Sequence, residues 1–78
     1  MAKNIYMPKL GMSMLEGEIA KWLIKVGDKV TKGDEIVEIM ENKANQTIEA
    51  LDSGTLEKIV VKEGETAVVG AVIAVLSD

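Results

Sequence analysis

The 78-residue sequence has no cysteine, no histidine, no phenylalanine and no arginine. Without cysteine there is no disulfide staple, no thiol nucleophile and no cysteine zinc site. Without histidine there is no imidazole acid–base chemistry. Aromatic residues are limited to Tyr6 and Trp22, too few for a base-stacking platform. Positive charge is also scarce: nine lysines face thirteen acids, for a net charge of −4, which argues against nucleic acid as a partner. Long apolar runs are missing as well. The longest, Ala67 to Leu76, is broken by Gly70 and is too short to cross a bilayer, so no membrane association is expected. Met1-Ala2-Lys3-Asn4 leads into no secretory apolar core, and the expected location is the cytoplasm. So short a chain builds little core, and it has no cross-link to help.

What is present is strand-forming sequence cut at short intervals. Apolar positions are dominated by β-branched residues, among them Val30, Ile36, Val37, Ile39, Ile59, Val61, Val72 and Ile73. Such side chains suit a pleated sheet better than a helix. Seven glycines divide the chain, and Gly27-Asp28, Gly33-Asp34 and Gly64-Glu65 read as turns. One all-β domain over residues 1–78 is expected, a small sandwich or barrel of short strands.

Residues 14–26 carry a competing signal. Leu15, Ile19, Trp22, Leu23 and Val26 fall at helical spacing, and Ser13-Met14-Leu15-Glu16 fits a capping box. Alternation over Ala20, Trp22, Ile24 and Val26 fits a strand with those residues inward. An internal repeat decides between them. Gly17 to Ile39 overlays Gly54 to Leu76 without gaps, at an offset of 37 residues. Gly17, Gly27 and Gly33 meet Gly54, Gly64 and Gly70; Lys21 and Lys25 meet Lys58 and Lys62; Ile36 meets Ile73. The second copy, around Leu56 to Lys62, is plainly strand-like, so the first is read as a strand too. Two such copies close a core by packing face to face about a pseudo-twofold axis.

Between the copies lies Met40 to Thr47, polar and turn-prone, with apolar strand sequence on both sides. This is a hairpin with Lys43 near its tip. A lysine in a turn is most often a solvated charge, and its protonated amine is a poor nucleophile near neutral pH. It still serves as an acylation site when a separate enzyme activates the acid. Other features read as ordinary structure. Asp28, Asp34 and Glu35 lack calcium-loop spacing, and Glu16 with Glu18 has no accompanying nucleophile. Asn45-Gln46-Thr47 is a glycosylation sequon expected to stay silent without a secretory signal. Trp22, Met7 and Met40 read as core, while Met12 and Met14 in the loop after the first strand are candidates for partner contact.

At this point the sequence resembles the biotinyl/lipoyl attachment domain, most closely the lipoyl domain of 2-oxo acid dehydrogenase complexes. The resemblance rests on Met7-Pro-Lys-Leu-Gly-Met-Ser-Met-Leu-Glu-Gly17, on Trp22 to Asp34, on Ser53-Gly-Thr-Leu56 and on Lys62 to Gly70. Glu41-Asn42-Lys43-Ala44 occupies the place of the family's Asp-Lys-Ala hairpin. Asn42 stands where the family often has Asp, and Met40 and Thr47 replace acids that are often seen there. The resemblance implies a flattened barrel (barrel-sandwich hybrid) of two four-stranded antiparallel sheets with pseudo-twofold symmetry. It implies lipoic acid amide-linked to Lys43 as a swinging arm, with Glu41, Asn42 and Ala44 as flanking recognition residues. The implied partners are a lipoate ligase or lipoyl transferase, a thiamine-dependent decarboxylase, an acyltransferase core and dihydrolipoamide dehydrogenase. The parent would be an acyltransferase component of a pyruvate or acetoin dehydrogenase complex, and the domain would be a monomeric, non-catalytic carrier. Three other readings stay open: a biotin carboxyl carrier, an unmodified structural module, and a stand-alone enzyme. The biotinyl branch places methionine on both sides of its lysine, whereas Lys43 has Asn42 and Ala44.

Overall fold

Glycine turns and β-branched runs produce eight short strands in the computed structural model, which describes residues 2–77. They are β1 (Lys3–Tyr6), β2 (Glu16–Trp22), β3 (Lys29–Val30), β4 (Glu35–Glu41), β5 (Ala44–Glu49), β6 (Gly54–Ile59), β7 (Thr66–Val68) and β8 (Val72–Ser77). Two four-stranded antiparallel sheets form, in the orders β1-β8-β6-β3 and β5-β4-β2-β7. No helix occurs among the described residues.

The contested segment is strand β2, with Ile19 opposite Ile39 and Trp22 opposite Val37. Its inward residues differ from the simple alternation. An irregularity between Ile19 and Lys21 shifts the pairing, so Ile19 and Trp22 are buried with two residues between them. Ala20 and Ile24 are only half-buried, and Val26 lies beyond the strand, 60% exposed. The expectation that all four point inward therefore holds for Trp22 alone. The Trp22 indole N–H donates to the Val61 carbonyl at 2.9 Å, which satisfies the one polar atom of a buried ring.

The repeat is visible in the hydrogen bonds. The Gly27 N–H donates to the Leu56 carbonyl at 2.7 Å, and its counterpart, the Gly64 N–H, donates to the Ile19 carbonyl at 2.8 Å. Leu56 N–H to Asp28 matches Ile19 N–H to Glu65, both at 2.9 Å. Gly27 and Gly64 have φ of 98° and 85°, backbone that a side chain would strain. The two sheet orders interconvert under the same offset, with β6, β7 and β8 standing for β2, β3 and β4, and β1 standing for β5. The core is built from the same pairs: Ile19 and Leu56, Ile36 and Ile73, Ile39 and Leu76, all at most 1% exposed. Burying each such side chain contributes about 1.5–3 kcal/mol.

The two ends of the described chain lie side by side, since Lys3 pairs with Leu76. The body they belong to is 33 Å long and about 20 Å across. The base of the β4–β5 hairpin, at Ile36 and Glu49, shares a cavity with Lys3 and Leu76. From Ile36 to Glu41 strand β4 advances about 17 Å away from that cavity. The hairpin tip therefore sits far from the chain ends.

Candidate functional site

Inward Ile36, Val37 and Ile39 fix the face that β4 buries, and β5 follows it in register from Glu41 opposite Ala44 to Glu38 opposite Thr47. Only Asn42 and Lys43 remain between the strands. Both have positive φ, 51° and 66°, and among the described residues they are the only non-glycines that do. Two consecutive left-handed residues make a type I′ turn, whose twist matches that of the flanking strands. Asn42 suits this backbone because asparagine tolerates it best after glycine. Lysine has no such tolerance, so Lys43 holds a strained position at the most projecting point of the hairpin.

Asn42, Lys43 and Ala44 are exposed, and Glu41 is half-buried. Among the described residues no hydrogen bond or ion pair engages the Lys43 ammonium. Below the tip, the Asn45 amide donates to Glu38 Oε1 at 2.6 Å and ties β5 to β4 across the strands. The structure thus brings all four sequence-selected residues, Glu41, Asn42, Lys43 and Ala44, onto one turn. It adds Asn45 and Glu38 as a brace that sequence reasoning had not singled out. Their positions, four before Asn42 and two after Lys43, were a usable signal, because cross-strand diagonal pairs lie within side-chain reach.

The connection from β1 to β2, residues 7–15, lies beside this hairpin. A Cβ on Gly11 would come within 3.8 Å of Glu41 Oε1. The loop is anchored from below. The Leu10 N–H donates to Met14 Sδ at 3.1 Å, and the Met14 N–H donates to the Gly11 carbonyl at 3.1 Å. Gly17 makes room for this anchor, since a Cβ there would lie 2.8 Å from Met14 Cε. The methionines thus sort differently from the sequence reading. Met7 is core, as expected, but Met14 is buried at 4% exposure and Met40 is on the outer face at 38%. Met40 follows inward Ile39, so the period of two turns it outward. Met12 is 96% exposed and stays available for contact. Glu16 and Glu18 are exposed on β2, and no cluster of three potential metal-binding residues occurs among the described residues.

Comparison with known proteins agrees with this geometry. The biotin/lipoyl family, described as "biotin-requiring enzyme", matches residues 3–76. A dihydrolipoyllysine-residue acetyltransferase component of the pyruvate dehydrogenase complex from Rhizobium meliloti is 55% identical over 75 residues, covering 95% of this chain and 17% of that protein. The corresponding component of the acetoin cleaving system of Bacillus subtilis is 47% identical, covering 100% and 20%. The chain therefore spans about one-fifth of the length of these curated relatives. Among solved structures, the lipoyl domain of the Azotobacter vinelandii 2-oxoglutarate dehydrogenase complex superposes with a TM-score of 0.77 at 29% identity, covering 96% of this chain and 95% of that one. A urea carboxylase from Kluyveromyces lactis superposes at 0.80 and 28% identity, covering 99% of this chain and 6% of that one.

Proposed function

The chain belongs to the biotin/lipoyl attachment family, and from that premise we propose that residues 1–78 form one lipoyl carrier domain with Lys43 as its attachment site. The observation that carries this reading is the two-residue left-handed turn with the unpaired Lys43 at its apex. An amide to Lys43 Nζ fits there because, among the described residues, none competes for the nitrogen and the side chain is exposed. Lipoic acid, when attached, supplies a dithiolane that cycles with its dithiol and carries an acyl group as a thioester. The chain has no cysteine, so it has no thiol of its own for that work.

What the protein itself contributes is placement. Lysine plus lipoyl reaches about 14 Å from Cα at standard bond lengths. The hairpin sets the root of that arm on an exposed turn at the tip of β4 and β5, away from the chain ends. The chain ends lie at the base of the hairpin, so connections to the rest of a larger protein leave from the far side and do not block the arm. Amide formation also removes the lysine charge, taking the formal net from −4 to −5. In this reading the domain is a carrier rather than a catalyst, within an acyltransferase component of a pyruvate or acetoin dehydrogenase complex. Its partners are a lipoate ligase or transferase, a thiamine-dependent decarboxylase, the acyltransferase core and dihydrolipoamide dehydrogenase. Intact-mass measurement and peptide mapping after incubation with lipoate ligase, and in parallel with biotin ligase, test this. A single lipoyl adduct on Lys43 supports the carrier. A biotinyl adduct assigns the biotin branch, and no adduct from either ligase assigns an unmodified module.

A further inference from the structure

The two sheets leave four edge strands, and they are not alike. Strand β3 has two residues and β7 has three, too short to template another strand. Strand β1 has four residues, starts at Lys3 and is broken by an irregularity between Ile5 and Tyr6. Strand β5 has six residues, contains no lysine or proline, and pairs only with β4. Its residues are exposed except Ile48. Around a two-residue loop, Glu41 and Ala44 form a hydrogen-bonded pair, so Asn45 and Thr47 aim their backbone N–H and C=O groups away from β4. Natural sheets usually blunt such an edge. Here the unblunted edge is the one that begins directly after Lys43.

We propose that β5 is a docking edge, and that the enzyme which acylates Lys43 adds an extended segment of its own chain alongside Asn45 to Thr47. This rests on the carrier reading. A strand paired to β5 lies about 4.8 Å away, so its neighbouring active site is within reach of the Lys43 side chain. Pairing through the backbone needs no particular side chains on β5. The side chains bordering the edge are acidic, with Glu38, Glu41 and Glu49 on the two strands and no base but Lys43 itself, so the incoming segment carries lysine or arginine. Added strand and hairpin together hold Lys43 in one orientation, which supplies selectivity among nine chemically identical lysines.

The test compares Thr47→Pro with Asn4→Pro. Asn4 faces Val75 on β1 as Thr47 faces Glu38 on β5, so the pseudo-symmetry provides a matched edge control. Proline at Thr47 removes an outward N–H and leaves the ladder to β4 intact. With lipoate ligase, lipoate and ATP, Thr47→Pro is expected to lower the acylation rate roughly ten-fold, the scale of one to two backbone hydrogen bonds. Asn4→Pro is expected to leave it unchanged. An unchanged rate in a folded Thr47→Pro overturns the docking edge while leaving the carrier reading intact; a parent that takes no adduct overturns both. Amide hydrogen exchange on the parent mixed with a Lys43-acylating ligase needs no substitution. Protection at Asn45 and Thr47 is expected, and its absence overturns the proposal. Concentration-dependent dimerisation of the parent that Thr47→Pro abolishes would give the edge to a second copy instead, and would likewise overturn the assignment.

Discussion

The two halves of this molecule share a backbone and differ in what they present. Strands β4 and β5 meet in a continuous turn at Asn42 and Lys43, whereas their counterparts β8 and β1 meet only as the two ends of the chain. The connections differ as well: residues 7–15 join β1 to β2, but only residues 50–53 join β5 to β6. The outward residues diverge most. Glu16, Glu18, Glu35 and Glu38 on the hairpin sheet stand where the other sheet has Ser53, Thr55, Val72 and Val75. Inward residues stay apolar in both copies, with Ile19/Leu56, Ile36/Ile73 and Ile39/Leu76 close matches, because both copies must fill the same core. The fold therefore constrains the interior and the glycine turns, while the outer faces were free to specialise around a single lysine.

The largest expected effect tests that specialisation. Lys43→Arg keeps the charge and removes the acylatable amine, so modification should be lost completely while the eight other lysines stay unmodified. Thermal unfolding should move little, because exposed substitutions usually fall within about 0.5 kcal/mol. Undiminished acylation would place the site in a different part of the molecule.

Next in size are the paired core residues. Ile19→Ala and Leu56→Ala each empty a fully buried site, and each should cost about 2–5 kcal/mol in denaturant unfolding. Similar losses would confirm that the halves share one cooperative core. A loss several-fold larger in one half would break the symmetry of the energetics, even though the contacts are symmetric.

Gly17 and Gly54 are equivalent in sequence but crowded by different atoms. A Cβ on Gly54 would run into the Ser77 carbonyl, which is backbone, whereas one on Gly17 would meet side chains only, the flexible end of Met14 at 2.8 Å and the stiffer, buried Ile39 Cγ2 at 2.9 Å. Gly54→Ala should cost about 2–3 kcal/mol and Gly17→Ala about 1–2 kcal/mol, within the usual range for overpacking. Equal costs would show that the Met14 and Ile39 side chains around Gly17 are as unyielding as backbone.

The smallest effect has the opposite sign. Lys43→Gly relieves a left-handed lysine and should stabilise the fold by about 0.5 kcal/mol, a rise in Tm of roughly 2–4 °C for a chain of this size. A lower Tm would mean that the Lys43 stem packs usefully against the hairpin.

Much of this was legible before any coordinates, and particular residues show why. Gly27 and Gly64 announce turns through their own backbone preference. Lys43 is locatable because a polar stretch between two strand-like copies has to reverse the chain. Met40 and Met14 were misplaced for a common reason. Hydrophobicity alone does not say which face a residue takes, and Met14 is drawn inward by the space above Gly17, a residue of another element. The bulge after Ile19 changed the inward set in β2 in the same non-local way, through pairing with β4.

By itself the sequence determined the division into short strands, the repeat and the place of Lys43 between the copies, since these follow from local turn chemistry and a period of two; the count of eight strands was only what the family resemblance implied. That the chain ends lie together, away from the hairpin tip, already follows from the repeat and its pseudo-twofold axis. Only the tertiary structure decided that the Lys43 backbone is left-handed and that β5 is the open edge. Each of those depends on which strands pair and in what register. Pairing is set by how the two copies fill one core, not by any residue's own preference.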